Sequence, residues 1–346
     1  MTDLDEKIAQ SIFDHYRKNG FPFKVLKDYE IWQEFKELTE YTGEGFLSNI
    51  NNSFGLVDSK ILSSEGTSGH LGQGICETFM PHQNSVKIST SPRTPMDTFL
   101  SDKYLKIAIG LANKNSNGKV NDQNLRTYLR LTHFTQYAAN FRSSLAKQIY
   151  DYYKCPFIYD YSSGFGGRLL GFIASNFQKK DSKYISVEPC SETYAGLIKM
   201  VDFFDMHDYV ELHKSGSEDF CPSHYKDKFG LAFSSPPYFN KEIYSEEETQ
   251  SCIKFPVYTD WRDKFWFKTM ENIHYLLKKG GVFIVNINDI KDGKEIIPLV
   301  KETADFADTL FSSREKTFYL PHNSYGPRAN SIGQKIFYEV FMVWKK

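Results

Sequence analysis

The tetrapeptide Ser235-Pro236-Pro237-Tyr238 carries the most specific chemical signal in the sequence. It follows the apolar run 230–234, which is typical of a buried strand, and two adjacent prolines cannot continue a sheet ladder. The stiffened turn presents the Ser235 hydroxyl and the Pro236 carbonyl as acceptors. Such a pair could hold both hydrogens of an exocyclic amine, whose conjugated lone pair makes it a weak nucleophile, while Tyr238 stacks on the ring. We predict that this loop activates an amine by positioning and electrostatics.

A glycine-rich turn lies upstream, after a predicted strand at 157–161 and before a predicted helix at 167–176. In such a turn the backbone N–H groups can approach a bound ligand closely. The same composition also fits a dinucleotide site or a loop without a ligand, so the turn alone is not specific. The candidate cofactor contacts here are Asp160, Tyr161, Ser162, Gly164, Gly166 and Gly167.

Acidic residues follow the next two predicted strands, 184–187 and 209–212. A carboxylate after the first strand can accept hydrogen bonds from both ribose hydroxyls of a nucleoside. An acidic or hydroxyl side chain after the second could hold the amino group of an adenine ring. Helix capping is the alternative interpretation at both places, because such side chains satisfy unpaired backbone donors at helix N-termini. The candidate residues are Glu188 and Pro189 after the first strand, and Ser217, Glu218 and Asp219 after the second.

In this order the motifs resemble the amino-methyltransferases of DNA, whose catalytic loop reads (Asp/Asn/Ser)-Pro-Pro-(Tyr/Phe/Trp) and which methylate N6 of adenine or N4 of cytosine. The resemblance covers residues 138–346. It implies S-adenosylmethionine as the cofactor, with the glycine loop facing its methionine part, Glu188 its ribose, and residues 217–219 its adenine. Phe141, in the segment 140–143, resembles the Phe that packs against the cofactor. The resemblance also implies a base flipped out of double-stranded DNA, and Ser235 favours N4 of cytosine over N6 of adenine.

Apolar β-rich runs alternate with helical patterns throughout this stretch, which is typical of an α/β sheet with crossover helices. Beyond the segments already named, the pattern predicts helices at 191–204 and 259–277, a strand at 282–287, and a C-terminal antiparallel hairpin from 317–320 and 336–344. The resemblance adds a Rossmann-like methyltransferase fold, with a mostly parallel seven-stranded sheet whose last strand is reversed. We therefore predict a catalytic domain over 138–346.

The first 137 residues are predicted to form a mostly helical N-terminal region. Helical patterns lie at 3–17, 29–41 and 96–137, around a Gly/Ser/Asn-rich stretch at 42–94. Target recognition is predicted for this region or for a partner subunit, because no room for a recognition domain is left between the catalytic loop and the strand at 282–287.

Nucleic-acid contacts are predicted on two parts of the chain. Basic residues on the N-terminal helices could follow phosphates, and the polar loop of the C-terminal hairpin would lie near the substrate. A solvated helix face and a plain solvent loop are the alternatives. The candidates are Arg126, Arg130, Arg142, Tyr325, Arg328 and Asn330.

The composition limits the class of protein. A formal net charge of -1 argues against coating nucleic acid by bulk electrostatics, although a local basic groove remains compatible with it. The five cysteines form no CxxC pair, so we expect neither a metal site nor a disulfide framework, and a reducing, cytoplasmic compartment. The N-terminal residues lack the pattern of a secretory signal and no apolar run is long enough to span a bilayer, so we expect no membrane association.

Three other functions fit parts of the sequence. A methyltransferase for an amine in RNA would use the same loop chemistry. A catalytically silent protein with the same fold could serve as a DNA-binding subunit, but the intact Ser235–Tyr238 tetrapeptide argues against it. An NAD-linked dehydrogenase is disfavoured because no catalytic Tyr/Lys or His constellation accompanies the glycine loop.

Overall fold

A computed structural model describes residues 3–42, 71–132, 135–292, 295–322 and 337–346. The helices of the N-terminal region are α1 (Asp3–Asn19), α2 (Asp28–Glu40), α3 (Gln73–Phe79), α4 (Pro95–Leu100), α5 (Asp102–Asn115) and α6 (Asp122–Leu131). Those downstream are α7 (Ser143–Tyr153), α8 (Gly167–Asn176), α9 (Ser191–Phe204), α10 (Ser251–Lys254), α11 (Tyr258–Asp260), α12 (Lys268–Leu276) and α13 (Leu299–Leu310). A π-helical stretch, Trp261–Phe267, joins α11 to α12.

The strands form one large sheet and two small ones. They are β1 (Lys87–Ile88), β2 (Phe157–Asp160), β3 (Lys183–Val187), β4 (Val210–His213), β5 (Phe229–Ser234), β6 (Glu242–Ile243), β7 (Leu277–Ile287), β8 (Ile290–Asp292), β9 (Glu295–Ile297), β10 (Ser313–His322) and β11 (Phe337–Lys345). The large sheet has the order β10-β11-β7-β5-β2-β3-β4, whereas β1 pairs with β6 and β8 with β9.

Strand direction in the large sheet matches the prediction. The strands β2, β3, β4, β5 and β7 pair in parallel, and β11 runs antiparallel to both of its neighbours, β7 and β10. Seven strands, a parallel centre and a reversed strand inserted through a C-terminal hairpin confirm the predicted Rossmann-like methyltransferase fold. Because parallel strands put their carboxyl ends at one edge, the loops after β2, β3, β4 and β5 meet there.

Both faces of the sheet are covered by helices, which explains the continuous apolar runs of its central strands. All six residues of β5 are buried. One core packs β5 residues such as Phe233 against α7, α8 and α9 through Leu170 and Leu197. The other core packs Phe283 of β7 against Trp266 of the π-helical stretch. Alternating strand residues thus serve two cores rather than one core and solvent.

The N-terminal region contributes to both the sheet core and a small core of its own. Phe35 of α2 and Ile75 of α3 belong to the same apolar cluster as the central strands. By contrast α1, α4, α5 and α6 form a separate cluster that includes Phe13, Phe99 and Leu125. The boundary between residues 137 and 138 therefore stays a prediction, since apolar packing crosses it.

The predicted helical stretch 96–137 is divided into α4, α5 and α6. A capping box begins α4, where the Thr94 hydroxyl accepts the Asp97 N–H and the Asp97 carboxylate accepts the Thr94 N–H. Between α5 and α6 the chain turns through Asn117 and Gly118, both in the left-handed region at φ 51° and 83°. The capping box thus sets the start of the helical stretch, and the turn at Asn117 and Gly118 overrides the helical pattern between α5 and α6. None of the helices in the described ranges is long and apolar enough to cross a membrane.

Glycine at position 171 is predicted to be required by the contact between α7 and α8. A Cβ there would lie 2.7 Å from the Ala146 Cβ and 2.7 Å from the Ser143 carbonyl oxygen, so Gly171→Ala should destabilise the fold by about 1–3 kcal/mol. Gly110, inside α5, has nothing within 4 Å of a Cβ, so Gly110→Ala should stabilise by about 0.5–1 kcal/mol. Urea unfolding of both variants checks that the two changes in the free energy of unfolding have opposite signs. A stabilising effect of Gly171→Ala would contradict the close contact between α7 and α8.

Candidate active site

A cavity of about 890 Å³ opens where the loops after β2, β3, β4 and β5 meet. This volume lies near the upper end of the range for small-molecule sites. Motifs that are far apart in the sequence form its wall together. The predicted site residues that line it are Phe141, Arg142, Ser162, Gly164, Glu188, Pro189, Ser217, Glu218, Ser235, Pro236, Pro237 and Tyr238.

The loop Ser235–Tyr238 is held in a compact turn. The Lys241 N–H donates to the Tyr238 carbonyl oxygen at 3.0 Å, and Phe239 between them adopts the left-handed region at φ 49°. The Tyr238 hydroxyl donates to the carbonyl oxygen of Asn286 at 3.4 Å and lies 3.2 Å from Ser235 Oγ. With the tyrosine proton directed at Asn286, the Ser235 hydroxyl donates to Tyr238 and keeps its lone pairs as acceptors.

A two-stranded sheet anchors the chain just after this loop. Strand β6 pairs with β1 of the N-terminal region, with Ile88 opposite Glu242. The Ser89 N–H also donates to the Lys241 carbonyl oxygen at 2.9 Å. The position of the loop Ser235–Tyr238 is therefore fixed from both sides, by β5 before it and by the N-terminal region after it.

Glu188 is a buried carboxylate at the end of β3 and not an exposed helix-capping residue. Only 8% of it is exposed, and its two oxygens accept the N–H groups of Gly164 at 3.0 Å and Cys190 at 2.9 Å. Burial raises the pKa of this carboxyl from its usual 4.5 to about 7, although the two N–H donors oppose the shift. Each oxygen retains a lone pair for a ligand in the cavity.

Of the three residues predicted after β4, Ser217 and Glu218 line the cavity and Asp219 does not. Glu218 is 7% exposed and lines the cavity, where its Oε1 accepts from Lys254 Nζ at 2.9 Å. Asp219 is exposed, lies outside the cavity, and pairs with the same Lys254 at 2.6 Å. The structure therefore does not bring Asp219 to the cavity wall as predicted, although its carboxylate shares Lys254 Nζ with that of Glu218. Ser217 lines the cavity and its Oγ bonds Thr269 Oγ1 at 2.8 Å.

Asp160 and Tyr161 are buried behind the cavity wall and do not line the cavity. Asp160 is fully buried, and its carboxylate binds Arg168 at 2.9 Å and the Ser162 N–H at 3.1 Å. The buried Tyr161 hydroxyl lies 3.0 Å from the carbonyl oxygens of both Ser234 and Ile284. Their predicted contacts with a cofactor are therefore corrected to internal roles, since their polar groups are already used.

Gly166 and Gly167 also lie behind the cavity wall. Gly166 adopts φ 78°, a region that favours glycine, and packs on Met200. A Cβ on Gly167 would collide with the carbonyl oxygen of Phe141. Gly167 lets the segment that carries Phe141 approach α8, and Gly166 lets the loop approach α9, so both glycines have a packing role instead of the predicted cofactor contacts. Only Gly164 of the three glycines lines the cavity.

The two N-terminal arginines predicted to contact nucleic acid have internal partners. Arg126 is 9% exposed and donates to the Pro22 carbonyl oxygen at 2.8 Å. Arg130 pairs with the buried Glu77 at 3.1 Å and also donates to Asn84 Oδ1. Both predictions are corrected, because amphipathic helices turn these side chains into the protein. Arg142 lines the cavity, whereas the predicted contacts Tyr325, Arg328 and Asn330 lie outside the described residues.

Several cavity residues were not singled out from the sequence. Arg168 could have been, because it directly follows the glycine turn. The others come from irregular segments without a recognisable pattern. These residues are Arg168, Lys241, Glu242, Tyr244, Gln250, Asn286 and Asn288. Within the described ranges, no group of three or more His, Cys, Asp or Glu residues is placed to hold a metal ion.

Comparison with known proteins gives structural similarity but no sequence match. No family model and no curated protein matches this sequence. A 1,6-didemethyltoxoflavin-N1-methyltransferase of Burkholderia thailandensis is similar at 12% identity and a TM-score of 0.38, covering 59% of this chain and 77% of that one. A geranyl diphosphate methyltransferase is similar at 12% identity and a TM-score of 0.40, with 59% and 84% covered. These values are too low to assign a function.

The raised pKa of Glu188 predicts a pH-dependent contribution to stability. The folded protein holds this proton more tightly than the unfolded chain, so the contribution is fully present below pH 4.5 and lost as the pH rises through about 7. The loss amounts to about 3 kcal/mol. Glu188→Gln should remove this contribution. The free energy of unfolding in urea, taken as wild type minus variant, should therefore fall as the pH rises from 4.5 to 8. The exposed Glu248→Gln is the control, and a constant difference for Glu188→Gln would contradict the burial.

Proposed function

We propose that the chain is an S-adenosylmethionine-dependent methyltransferase that methylates an exocyclic amine of a base flipped out of double-stranded DNA. One observation carries the proposal: the loop Ser235–Tyr238, Glu188 and Glu218 line the same cavity at the carboxyl edge of the sheet. A Pro-Pro turn without these neighbours would indicate only a turn. Here the turn lies beside two buried carboxylates that suit the nucleoside of the cofactor, so it is placed to act on the ring of a substrate base.

The cavity residues fit the cofactor. Glu188 can accept hydrogen bonds from the ribose hydroxyls, since each of its oxygens has a single backbone donor. Glu218 Oε2 is buried and has no hydrogen-bond partner among the described residues, which suits the amino group of adenine. Phe141 supplies an apolar wall. When bound, S-adenosylmethionine supplies an electrophilic methyl group on a sulfonium.

The catalytic loop would prepare the amine for attack. The Ser235 hydroxyl and the Pro236 carbonyl accept its two hydrogens, which favours a tetrahedral nitrogen with an available lone pair. Tyr238 stacks on the base, and its hydroxyl contacts keep the ring in place. These residues act by orientation and electrostatics. Serine at the first position supports N4 of cytosine over N6 of adenine.

A DNA substrate must also be contacted outside the loop Ser235–Tyr238. With Arg126 and Arg130 held inside the N-terminal region, Arg142 at the cavity is the described candidate for a phosphate or base contact. We propose that the N-terminal region or a partner subunit supplies the remaining contacts. An amine in RNA is the alternative substrate, because the loop chemistry is the same.

The substrate can be tested on whole genomic DNA, which offers every short recognition sequence at once. DNA from cells that express the protein should carry a new N4-methylcytosine or N6-methyladenine in a fixed sequence context, detectable by single-molecule sequencing. Cells that express Ser235→Ala provide the control. Methyl transfer in vitro to duplex DNA but not to RNA would support the DNA assignment. Transfer to RNA alone would replace it with the alternative.

Substitutions in the catalytic loop should separate catalysis from cofactor binding. Ser235→Ala and Tyr238→Ala should each lower single-turnover methyl transfer by about 100-fold or more, because an acceptor or the stacking ring is lost. Tyr238→Phe keeps the ring and should retain more activity. Affinity for S-adenosylmethionine, measured by calorimetry, should stay within about threefold. The exposed Tyr29→Ala is the control, and full activity in either loop variant would contradict the assigned roles.

A further inference from the structure

Lys241 places a positive charge beside the ring of Tyr238. Its side chain lines the cavity, and its Nζ lies 5.2 Å from the centroid of that ring. Arg168, another basic residue of the cavity wall, is bound to Asp160 at 2.9 Å. Lys241 Nζ, by contrast, contacts the tyrosine ring and forms no ion pair with a carboxylate in the part of the chain that the structure describes. Its charge is therefore left for a ligand.

The backbone of Lys241 is fixed on both sides, whereas its side chain is adjustable. Its N–H donates to the Tyr238 carbonyl oxygen at 3.0 Å, and its carbonyl oxygen accepts the Ser89 N–H at 2.9 Å. The flexible four-carbon stem ends at a cation–ring contact, which is weak enough to be exchanged for charge-assisted hydrogen bonds. Lys241 is thus anchored next to the loop Ser235–Tyr238, with an ammonium group that can turn toward an anion.

The carboxylate that follows Lys241 in the chain has a different partner. Glu242 also lines the cavity, and its Oε2 accepts the Tyr244 hydroxyl. Burial raises the pKa of Glu242, so this carboxyl neutralises the Lys241 ammonium less than an exposed carboxylate would. An anionic group that enters this side of the cavity therefore meets a cation.

We propose that Lys241 binds a backbone phosphate next to the nucleotide whose base stacks on Tyr238. This inference rests on the proposed function. A phosphodiester carries one negative charge and several acceptor oxygens, which match an ammonium with three N–H donors. Base and phosphate are covalently joined, so a cation beside the stacking ring is placed to meet the phosphate when the base reaches that ring. The methionine carboxylate of the cofactor is the other anion of the proposed complex, and its binding to Lys241 is a separate outcome of the test below.

This contact would hold the extruded nucleotide and would not read the sequence, since phosphate contacts fix orientation and register. A formal net charge of -1 and the acids Glu188 and Glu218 in the cavity wall give a phosphate no general attraction to the site. A local cation is therefore needed where the nucleotide enters. Lys241 would take the role that the sequence suggested for Arg126 and Arg130, whose side chains have internal partners.

Methyl transfer to a duplex oligonucleotide tests the inference, with the sequence taken from the modified sites mapped in genomic DNA. The phosphates on the two sides of the target nucleotide are replaced, one at a time, by an uncharged methylphosphonate. Wild type should lose about tenfold in kcat/KM on one of these two duplexes. Lys241→Gln should lose about tenfold on unmodified DNA and little more on that same methylphosphonate duplex, because the contact is already absent. Lys241→Arg keeps the charge and should respond to the methylphosphonate as wild type does.

The salt dependence of methyl transfer gives a second readout. The slope of log kcat/KM against log salt concentration should be shallower by about one for Lys241→Gln than for wild type, because one phosphate contact fewer releases counterions. Lys228→Gln is the matched control, since Lys228 is exposed and directly precedes β5, at the edge of the sheet opposite the cavity. This control should leave both the salt slope and the methylphosphonate effect unchanged.

The outcomes distinguish this inference from the function on which it rests. If wild type transfers no methyl group to DNA, the proposed function and the inference are both wrong. If wild type methylates DNA but neither methylphosphonate lowers its activity, or Lys241→Gln keeps the full salt slope and methylphosphonate effect, only the inference is overturned. A loss of about tenfold in the affinity of Lys241→Gln for S-adenosylhomocysteine would assign the ammonium to the cofactor carboxylate and also overturn it. Lys241→Met, which keeps the apolar stem, replaces Lys241→Gln if thermal melting shows that the glutamine variant is unfolded, and it should show the same losses.

Discussion

The buried ion pair between Asp160 and Arg168 holds together the edge of the sheet at which the cavity opens. Asp160 ends β2, and Arg168 lies in the first turn of α8, so the pair closes the glycine loop between them. The Arg168 guanidinium also donates to the Ser162 carbonyl oxygen, and the Tyr184 hydroxyl of β3 donates to Asp160. Two charges removed from water stabilise a fold only when their hydrogen bonds are satisfied, as they are here. The loop conformation, and with it the placement of Gly164 against Glu188, depends on this pair.

The ion pair also explains why Asp160 differs in role from Glu188 and Glu218. Asp160 has its bonds filled from within and cannot serve a ligand, whereas Glu188 and Glu218 keep acceptor capacity toward the cavity. Burial raises the pKa of both glutamates, so each gains from a ligand that donates hydrogen bonds to its charged form. Carboxylates of the same type are thus structural or ligand-facing according to which donors already surround them.

The sequence was informative where a regular pattern or a rigid residue type determines the structure. The alternation of strands and helices, the C-terminal hairpin and the turn at Pro236 and Pro237 follow from periodicity and from the missing N–H of proline. The direction in which a side chain points within an irregular turn cannot be predicted from periodicity or residue type. Glu218 and Asp219 are neighbours of the same charge, and only the turn after β4 decides which faces the cavity. No sequence pattern predicts that Gln250 lines the cavity, because its position depends on the tertiary contacts of α10.

The N-terminal region looked separable in the sequence, but its packing shows otherwise. Phe35 and Ile75 belong to the core of the sheet, and His82 Nε2 lies 2.9 Å from Thr193 Oγ1 in the cavity wall. The pairing of β1 with β6 extends this dependence to the loop Ser235–Tyr238. A recognition module that could be exchanged between relatives would have to leave the chemistry intact when replaced. Here, replacement would remove a strand partner from the segment that follows Tyr238, so a change in the N-terminal region also shifts the loop Ser235–Tyr238.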